Sequence, residues 1–417
     1  MPSNDRIPPM GLPELRSSGR AISRRGFLAS AGTAVTSTVA GCNGVGRDSD
    51  VQPLHDGNWE SFGNGQRNAN RVAGGTPEPT AHDTLTGGGW PYAPPVVYDG
   101  IAYFGHEHRV VAVAPDGSER WSQRLEPQVS GAPALDPDAG HLYVPTQSRG
   151  ESDGMAAESA SVTVLSLVDG TVTKTVRVGD RRTYGVTVAD GDVYVRSATA
   201  CVRLGADGTE RWRQPFEPLV YDEYNLGDST ATQVTPAVTG DGVYVPDRDE
   251  LVKLDAESGA ERWRIPVETA YASPAGDDRG VVQTGYQETV AVTHGGDVRW
   301  RRALQSRAAA AIADGDVYVV ADECHELDAT TGDTNWRARL PFRGTAAPVV
   351  TDDSVIVVTG SVHAFSRNSG GLLSSDRTRW QTEGIHAAAF ASPVVAAGRL
   401  FVVSPLGLLS LGPEESG

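Results

Sequence analysis

Residues 236–267, PAVTGDGVYVPDRDELVKLDAESGAERWRIPV, constrain the fold of this chain more than any other stretch. Short apolar runs (AVT, VYV, LVKL, RWRI) are separated by an Asp-Gly turn, a charged loop and an Asp-Ala-Glu-Ser-Gly turn. Alternating apolar residues between such turns read as hairpins, because Gly supplies the positive φ that a tight turn needs. A single meander of this kind cannot bury both of its faces, so it must be repeated. The first hairpin recurs from Pro94, Pro133, Val186, Ser273, Ala310, Ala347 and Ser392, which makes eight units. Their turn positions, Gly100, Gly140, Gly191, Gly242, Gly280, Gly315, Asp353 and Gly398, are spaced by roughly 35 to 51 residues, enough for four strands each. The expected fold is all-β: an eight-bladed β-propeller of four-stranded antiparallel blades, in which ring closure lets each blade bury both faces.

In five of the blades a second turn precedes a Trp: Trp121, Trp212, Trp263, Trp300 and Trp336. A large ring whose N–H finds a backbone acceptor suits the packing between neighbouring blades, so these residues are expected to be structural. Blade two has Lys174 at this position, and in blade seven Trp380 falls beyond the expected register. Blade eight ends at Gly412 without a Trp strand, whereas Trp59 has no hairpin before it. The expectation is an N-terminal strand around Trp59 that completes the last blade, leaving no open sheet edge.

The first 41 residues read as an address. Ser23-Arg24-Arg25-Gly26-Phe27-Leu28, with Arg24, Arg25, Phe27 and Leu28 as its determinants, resembles a twin-arginine export motif, and a small-residue apolar run follows. Val39-Ala40-Gly41-Cys42 resembles the lipobox of bacterial and archaeal lipoproteins, which implies cleavage before Cys42 and a lipid on its thiol. The expected organisation is a signal peptide over 1–41, a lipidated tether over 42–57, a propeller over 58–412 and a tail over 413–417. No other apolar run is long enough to cross a membrane. The mature protein is therefore expected on the outer face of the cell membrane, as a monomer. Cys201 and Cys324 lie in different blades and read as small buried residues.

Net charge is −17, and only Lys174 and Lys253 are lysines among the 36 basic residues. An acidic, Lys-poor surface resembles proteins of extreme halophiles, whose self-repulsion molar salt screens, and the expected source is a halophilic archaeon. Such a charge argues against nucleic-acid binding, which needs a basic face.

The segment Trp59-Glu60-Ser61-Phe62-Gly63-Asn64-Gly65-Gln66-Arg67-Asn68 resembles the WxxFxxDxxNxG opening of the PQQ-like (pyrroloquinoline-quinone-type) propeller-repeat family, with Gly65 in place of the Asp. Leu327 to Trp336, LDATTGDTNW, resembles that family's AxDxxTGxxxW repeat. The resemblance covers nearly the whole mature chain and implies the fold more than the activity. Quinoprotein dehydrogenases of the family carry PQQ and calcium at the propeller centre, and many have an adjacent Cys-Cys pair. This chain has no such pair and no matching motif for a catalytic Asp or for calcium ligands. It is more similar to the short, cofactor-free members, among them the propeller lipoprotein of the outer-membrane barrel assembly machinery, which act as scaffolds. The expected function is therefore a protein- or ligand-binding scaffold without catalytic residues, metal or cofactor. The alternative is an oxidoreductase holding PQQ and calcium.

Strand direction sorts the loops. With strands A to D running from the inside outwards, the A–B and C–D turns are short and share one face, while the B–C loops and blade-to-blade links share the other. Residues 147–161 and 214–233 make long loops on the second face, which is the candidate binding face. Its polar clusters are His106-Glu107-His108-Arg109, Asp247-Arg248-Asp249-Glu250 and Asp322-Glu323-Cys324-His325-Glu326, with Tyr221-Asp222-Glu223-Tyr224 in the long link. His and carboxylates are metal-ligating types, but these come from separate blades without an HExxH or paired-Cys spacing, so they read as solvated acidic loops. The Tyr-Asp-Glu-Tyr run suits either a binding rim or a plain surface loop.

Overall fold

The structure is a computed structural model that describes residues 57–85, 93–149, 157–219, 234–240, 242–267, 272–367, 377–388 and 390–413. Eight antiparallel sheets make eight blades, each built of strands A to D, with blade one running through Val96–Tyr98, Ile101–His106, Arg109–Val113 and Glu119–Arg124. Blades three to seven repeat this order along the chain. The A–B turns of blades one, three, six and eight place both central residues at positive φ: Asp99/Gly100, Asp190/Gly191, Asp314/Gly315 and Ala397/Gly398. This is the two-residue hairpin geometry whose twist matches that of the strands, and it explains the recurrent Asp-Gly pairs.

The second turn of the repeat has its own logic. Asp116, Asp169, Asp207, Asp255 and Asp328 each accept hydrogen bonds from the backbone N–H of a Ser or Thr two or three residues on. In Asp116 and Asp255 the Ser118 and Ser258 hydroxyl bonds first, and in the other three the backbone bonds, hold the carboxyl below the usual carboxylate range. The Gly that follows is a seat for the Trp of the preceding blade. A Cβ at Gly170, Gly259 or Gly332 lies 2.4, 2.6 or 2.7 Å from the ring of Trp121, Trp212 or Trp300 respectively. Each indole N–H donates to a carbonyl of the same turn, at Leu167, Ala256 and Ala329. Trp263 uses the His294 carbonyl in the same way. In blade two, Lys174 occupies the seat: its side chain lies against Gly208, and Nζ donates to the Asp207 carbonyl.

Three expectations need correction. Trp380 does not fall out of register: it pairs with Ala364, as Trp300 pairs with Ala291. The displacement in sequence comes from the longer C–D connection of blade seven. Within 147–161, the described residues 147–149 and 157–161 are strand rather than loop, with Gln147 opposite Ala160 and Ser148 opposite Ser159, so the blade-two hairpin extends beyond its neighbours. The ring is closed by an N-terminal strand, but that strand is Ala81–Thr84, paired antiparallel with Gly407–Gly412, and not the Trp59 segment. Trp59 has moved inward, where it is 1% exposed and bridges Val97 on the innermost strand of blade one.

Cys201 and Cys324 are free and buried, and burial pushes both thiols up to about 12. Among the described residues no helix is long and apolar enough to cross a membrane. The export motif (Arg24, Arg25, Phe27, Leu28), Cys42 and the link carrying Tyr221, Asp222, Glu223 and Tyr224 lie outside the described residues.

Candidate functional site

The two mouths of the central channel differ. In an A–B hairpin the middle residue of the short innermost strand turns its N–H away from its partner strand and into the channel, where it needs an acceptor. The N-terminal segment supplies one. Val97, Leu135, Val238, Gly276, Ile312 and Val350, each the second residue of its innermost strand, donate to the carbonyls of Trp59, Glu60, Gln66, Arg67, Ala69 and Asn70. Asn68 donates from Nδ2 to the carbonyls of Thr235, Pro236 and Pro274, and Asn70 donates to that of Ala310. Arg67 and Arg71 then pair with Asp278, Asp314 and Asp352 on the A–B turns. Residues 57–76 thus seal the short-turn mouth. Phe62 packs deeper, against Ala93, Ala132, Ala272, Ala309 and Ala347. The motif that marks the family is therefore a channel plug.

The described channel residues do not supply the ligands that a PQQ–calcium pair would need. Calcium takes about six to eight oxygens, commonly including carboxylates. Among the described residues no group of three or more His, Cys, Asp or Glu converges anywhere. Around Phe62 the blades present alanines, and the hydroxyls of Ser130 and Ser306 are committed to backbone carbonyls. The buried acceptors left over are neutral amide oxygens, on Asn68, Asn70, Gln147 and Gln283.

The long-loop face carries the described depressions that lie away from the plug. One, of about 390 Å³, is lined by His106, Glu107, His108, Arg109, Ser122 and Arg124 at the outer end of blade one. Burial, and next the Arg109 guanidinium, lower the proton affinity of His106. His108 Nδ1 contacts the Glu126 carbonyl, which can only accept, so that nitrogen carries the proton. A second depression, of about 420 Å³, lies between blades five and six and includes Asp322, Glu323, His325, Arg339 and Arg343. Its His325 imidazole is lowered chiefly by burial. Cys324 points into the core and Glu326 into a buried pair with Arg377, so neither belongs to this site.

The blade-four cluster is structural. Asp247 accepts from the Glu217 backbone N–H and pairs with Arg264, which also holds Glu250 and Glu261. Arg248 and Asp249 stand at the tip of that turn, 3.9 Å apart. The clusters on blades one, four and six therefore share a face but do not converge. Two exposed aromatics lie near this depression without lining it: Tyr286, in the B–C loop of blade five under Arg307, and Phe342, next to Arg343 in the link after blade six. Sequence reading passed over both, although an aromatic at a loop tip was the available signal.

A family described as outer membrane protein assembly factor BamB matches residues 80–270 and 270–411. Solved structures match as well. BamB from Moraxella catarrhalis has a TM-score of 0.62 at 13% identity, over 82% of this chain and 99% of that one. A europium-containing methanol dehydrogenase has a TM-score of 0.59 at 12% identity, over 84% and 90%. The quinohemoprotein alcohol dehydrogenase from Comamonas testosteroni has a TM-score of 0.61 at 12% identity, over 84% and 77%. At such identities the likeness is one of fold. No curated protein sequence matches significantly.

Proposed function

Because the chain belongs to the PQQ-like propeller family described as outer membrane protein assembly factor BamB, we propose that it is a binding scaffold that engages a partner through its long-loop face. The observation that carries this reading is the asymmetry of the channel: the short-turn mouth is occupied by residues 57–76, whose Arg67 and Arg71 also line a depression there, and the interior by Phe62 on alanines, while two depressions lined by polar groups lie on the other face. A rigid ring presenting irregular loops on one side is a common way to build a recognition surface. In this reading the protein is exported by the twin-arginine route, tethered through Cys42 to the outer face of a haloarchaeal membrane, and needs no cofactor.

The test is a thermal-shift titration of the mature domain in molar salt with PQQ plus calcium, alongside cross-linking of intact cells that express the chain. A ligand that binds only the folded state adds about 2.7 kcal/mol at a hundredfold excess over its dissociation constant. No shift with the cofactor, together with a partner cross-linked through long-loop positions, supports the scaffold. A saturable shift overturns it in favour of the oxidoreductase. The anchor is checked separately, since Cys42→Ser is expected to release the protein into the medium.

A further inference from the structure

We propose that the cleft between blades five and six on the long-loop face is a docking site for an acidic polypeptide segment carrying apolar anchor residues; this deepens the scaffold reading and rests on it. The chain has 53 acidic against 36 basic residues, so a locally basic surface stands out. Here the balance reverses. Arg301, Arg307, Arg337, Arg339 and Arg343 gather at the long-loop ends of these two blades, against Glu288, Asp322 and Glu323.

The carboxylates do not neutralise these cations evenly. Glu288 is taken by Arg301 at 2.6 Å, and Glu323 by Arg337 at 3.2 Å. Arg339 reaches Glu323, and Arg343 reaches Asp322, only at 3.9 Å. Arg307 lies over the ring of Tyr286, 5.7 Å from its centroid, and meets no carboxylate among the described residues. Arg339 is held in the open, with its side chain 93% exposed. Three guanidinium groups are thus presented outward without a close counter-charge, and this is the donor type that suits carboxylates best, because its planar fork can bond both oxygens.

The cleft, of about 420 Å³, offers apolar side chains as well as charges: Leu304, Leu340 and Ala321 line it together with Gln305, Asp322, Glu323, His325, Arg339 and Arg343. Phe342, 69% exposed, is next to Arg343 in the chain, and Tyr286, 40% exposed, lies under Arg307. Arginine and aromatic residues beside apolar contacts are the composition in which binding energy concentrates at protein interfaces. A duplex nucleic acid fits less well, because it presents an unbroken row of phosphates to Asp322 and Glu323 as well as to the arginines, whereas a peptide can place its carboxylates at the arginines alone.

The experiment uses the mature full-length chain and three fluorescent peptides: glutamates interspersed with leucine and phenylalanine, the same peptide with lysine for glutamate, and glutamate with serine only. Anisotropy is read at the lowest salt in which the fold persists and again near 1 M, where the Debye length has fallen to about 3 Å. The first peptide is expected to bind, to weaken with salt, and to lose about tenfold or more in affinity to the Arg339→Glu/Arg343→Glu chain, the range seen when complementary charges are reversed at an interface. Phe342→Ser should weaken it less, and Arg120→Glu, at an exposed position on the outer strand of blade one, should leave it unchanged. An unaltered melting temperature shows that the exposed substitutions spare the fold.

Equal binding of the lysine peptide, unchanged binding by the double variant, or no binding of the first peptide would each overturn the proposal. So would capture of the wild-type chain, but not the variant, by anionic phospholipid vesicles while the peptide stays unbound. A surface partner that cross-links to the long-loop face of the double variant as well as to wild type would overturn the cleft and leave the scaffold reading standing. Absence of any such partner from both chains would count against the scaffold itself.

Discussion

Gly117 and Gly332 occupy the same place in their blades, the Gly of the C–D turn, and have nearly the same φ, +78° and +72°. A Cβ on Gly332 would meet the ring of Trp300 at 2.7 Å, whereas a Cβ on Gly117 would meet nothing within 4 Å. The reason lies one blade upstream. Gly332 receives the Trp of blade five, but Gly117 faces blade eight, whose outermost strand comes from the N-terminal segment and carries Asp83 where the Trp would be, paired with Ser410. The blade-seven Trp suffers the complementary loss. Blade eight has no covalent C–D turn, and the Trp380 indole N–H has no partner among the described residues. The repeated seams are thus fixed by a docked ring and a turn, while the closing seam depends on strand pairing and on the N-terminal plug. Turn glycines with nearly the same φ carry different energetic loads according to what the ring places beside them.

Breaking the closing seam should have the largest effect. Deleting Ala81–Thr84 removes its antiparallel pairing with Gly407–Gly412 and opens the ring, with an expected loss of more than about 4 kcal/mol, in the range that marks loss of a buried network. Chemical denaturation should then show a lower midpoint, and a retained midpoint would mean that the plug alone closes the ring.

The next test separates the two glycines. Gly117→Ala should cost only the left-handed backbone penalty, about 1 kcal/mol, whereas Gly332→Ala adds displacement of Trp300 and should cost about 3 kcal/mol. Equal losses would show that the Trp seat contributes nothing beyond backbone conformation.

The smallest effect concerns acid. In Asp255 the Ser258 and Arg262 hydrogen bonds hold the carboxyl below its usual range, and the other four turn aspartates are shifted in the same direction. A depressed folded-state value means stability that is fully present above the unfolded pKa, about 3.9, and lost as pH falls through the folded values. Melting temperature should therefore decline below about pH 4, and Asp255→Asn should flatten part of that decline. An unchanged slope in the variant would show that this turn is not among the acid-sensitive groups.

The candidate site was legible in part. The polar clusters at His106–Arg109 and Asp322–His325 stood out because charged residues interrupt apolar strands, and both line depressions on the face that strand direction assigned. Their chemistry was not legible. That Asp247 is occupied by Arg264 while Arg339 and Arg343 stand nearly free depends on pairings between strands and links that the order of residues does not contain.

By itself the sequence determined the blade count and the turn geometry, because each is a local pattern: a period, and an Asp-Gly pair at positive φ. Only the tertiary structure decided what closes the ring and what fills its centre. Trp59 and Ala81–Thr84 both precede the first hairpin, and either would serve in a strand. The first went into the channel because its neighbours' carbonyls meet the inward N–H groups of six blades, and the second to the edge because it lies in register with Gly407–Gly412. Those partners lie hundreds of residues away, and a pairing at that distance is fixed by the geometry of the closed ring.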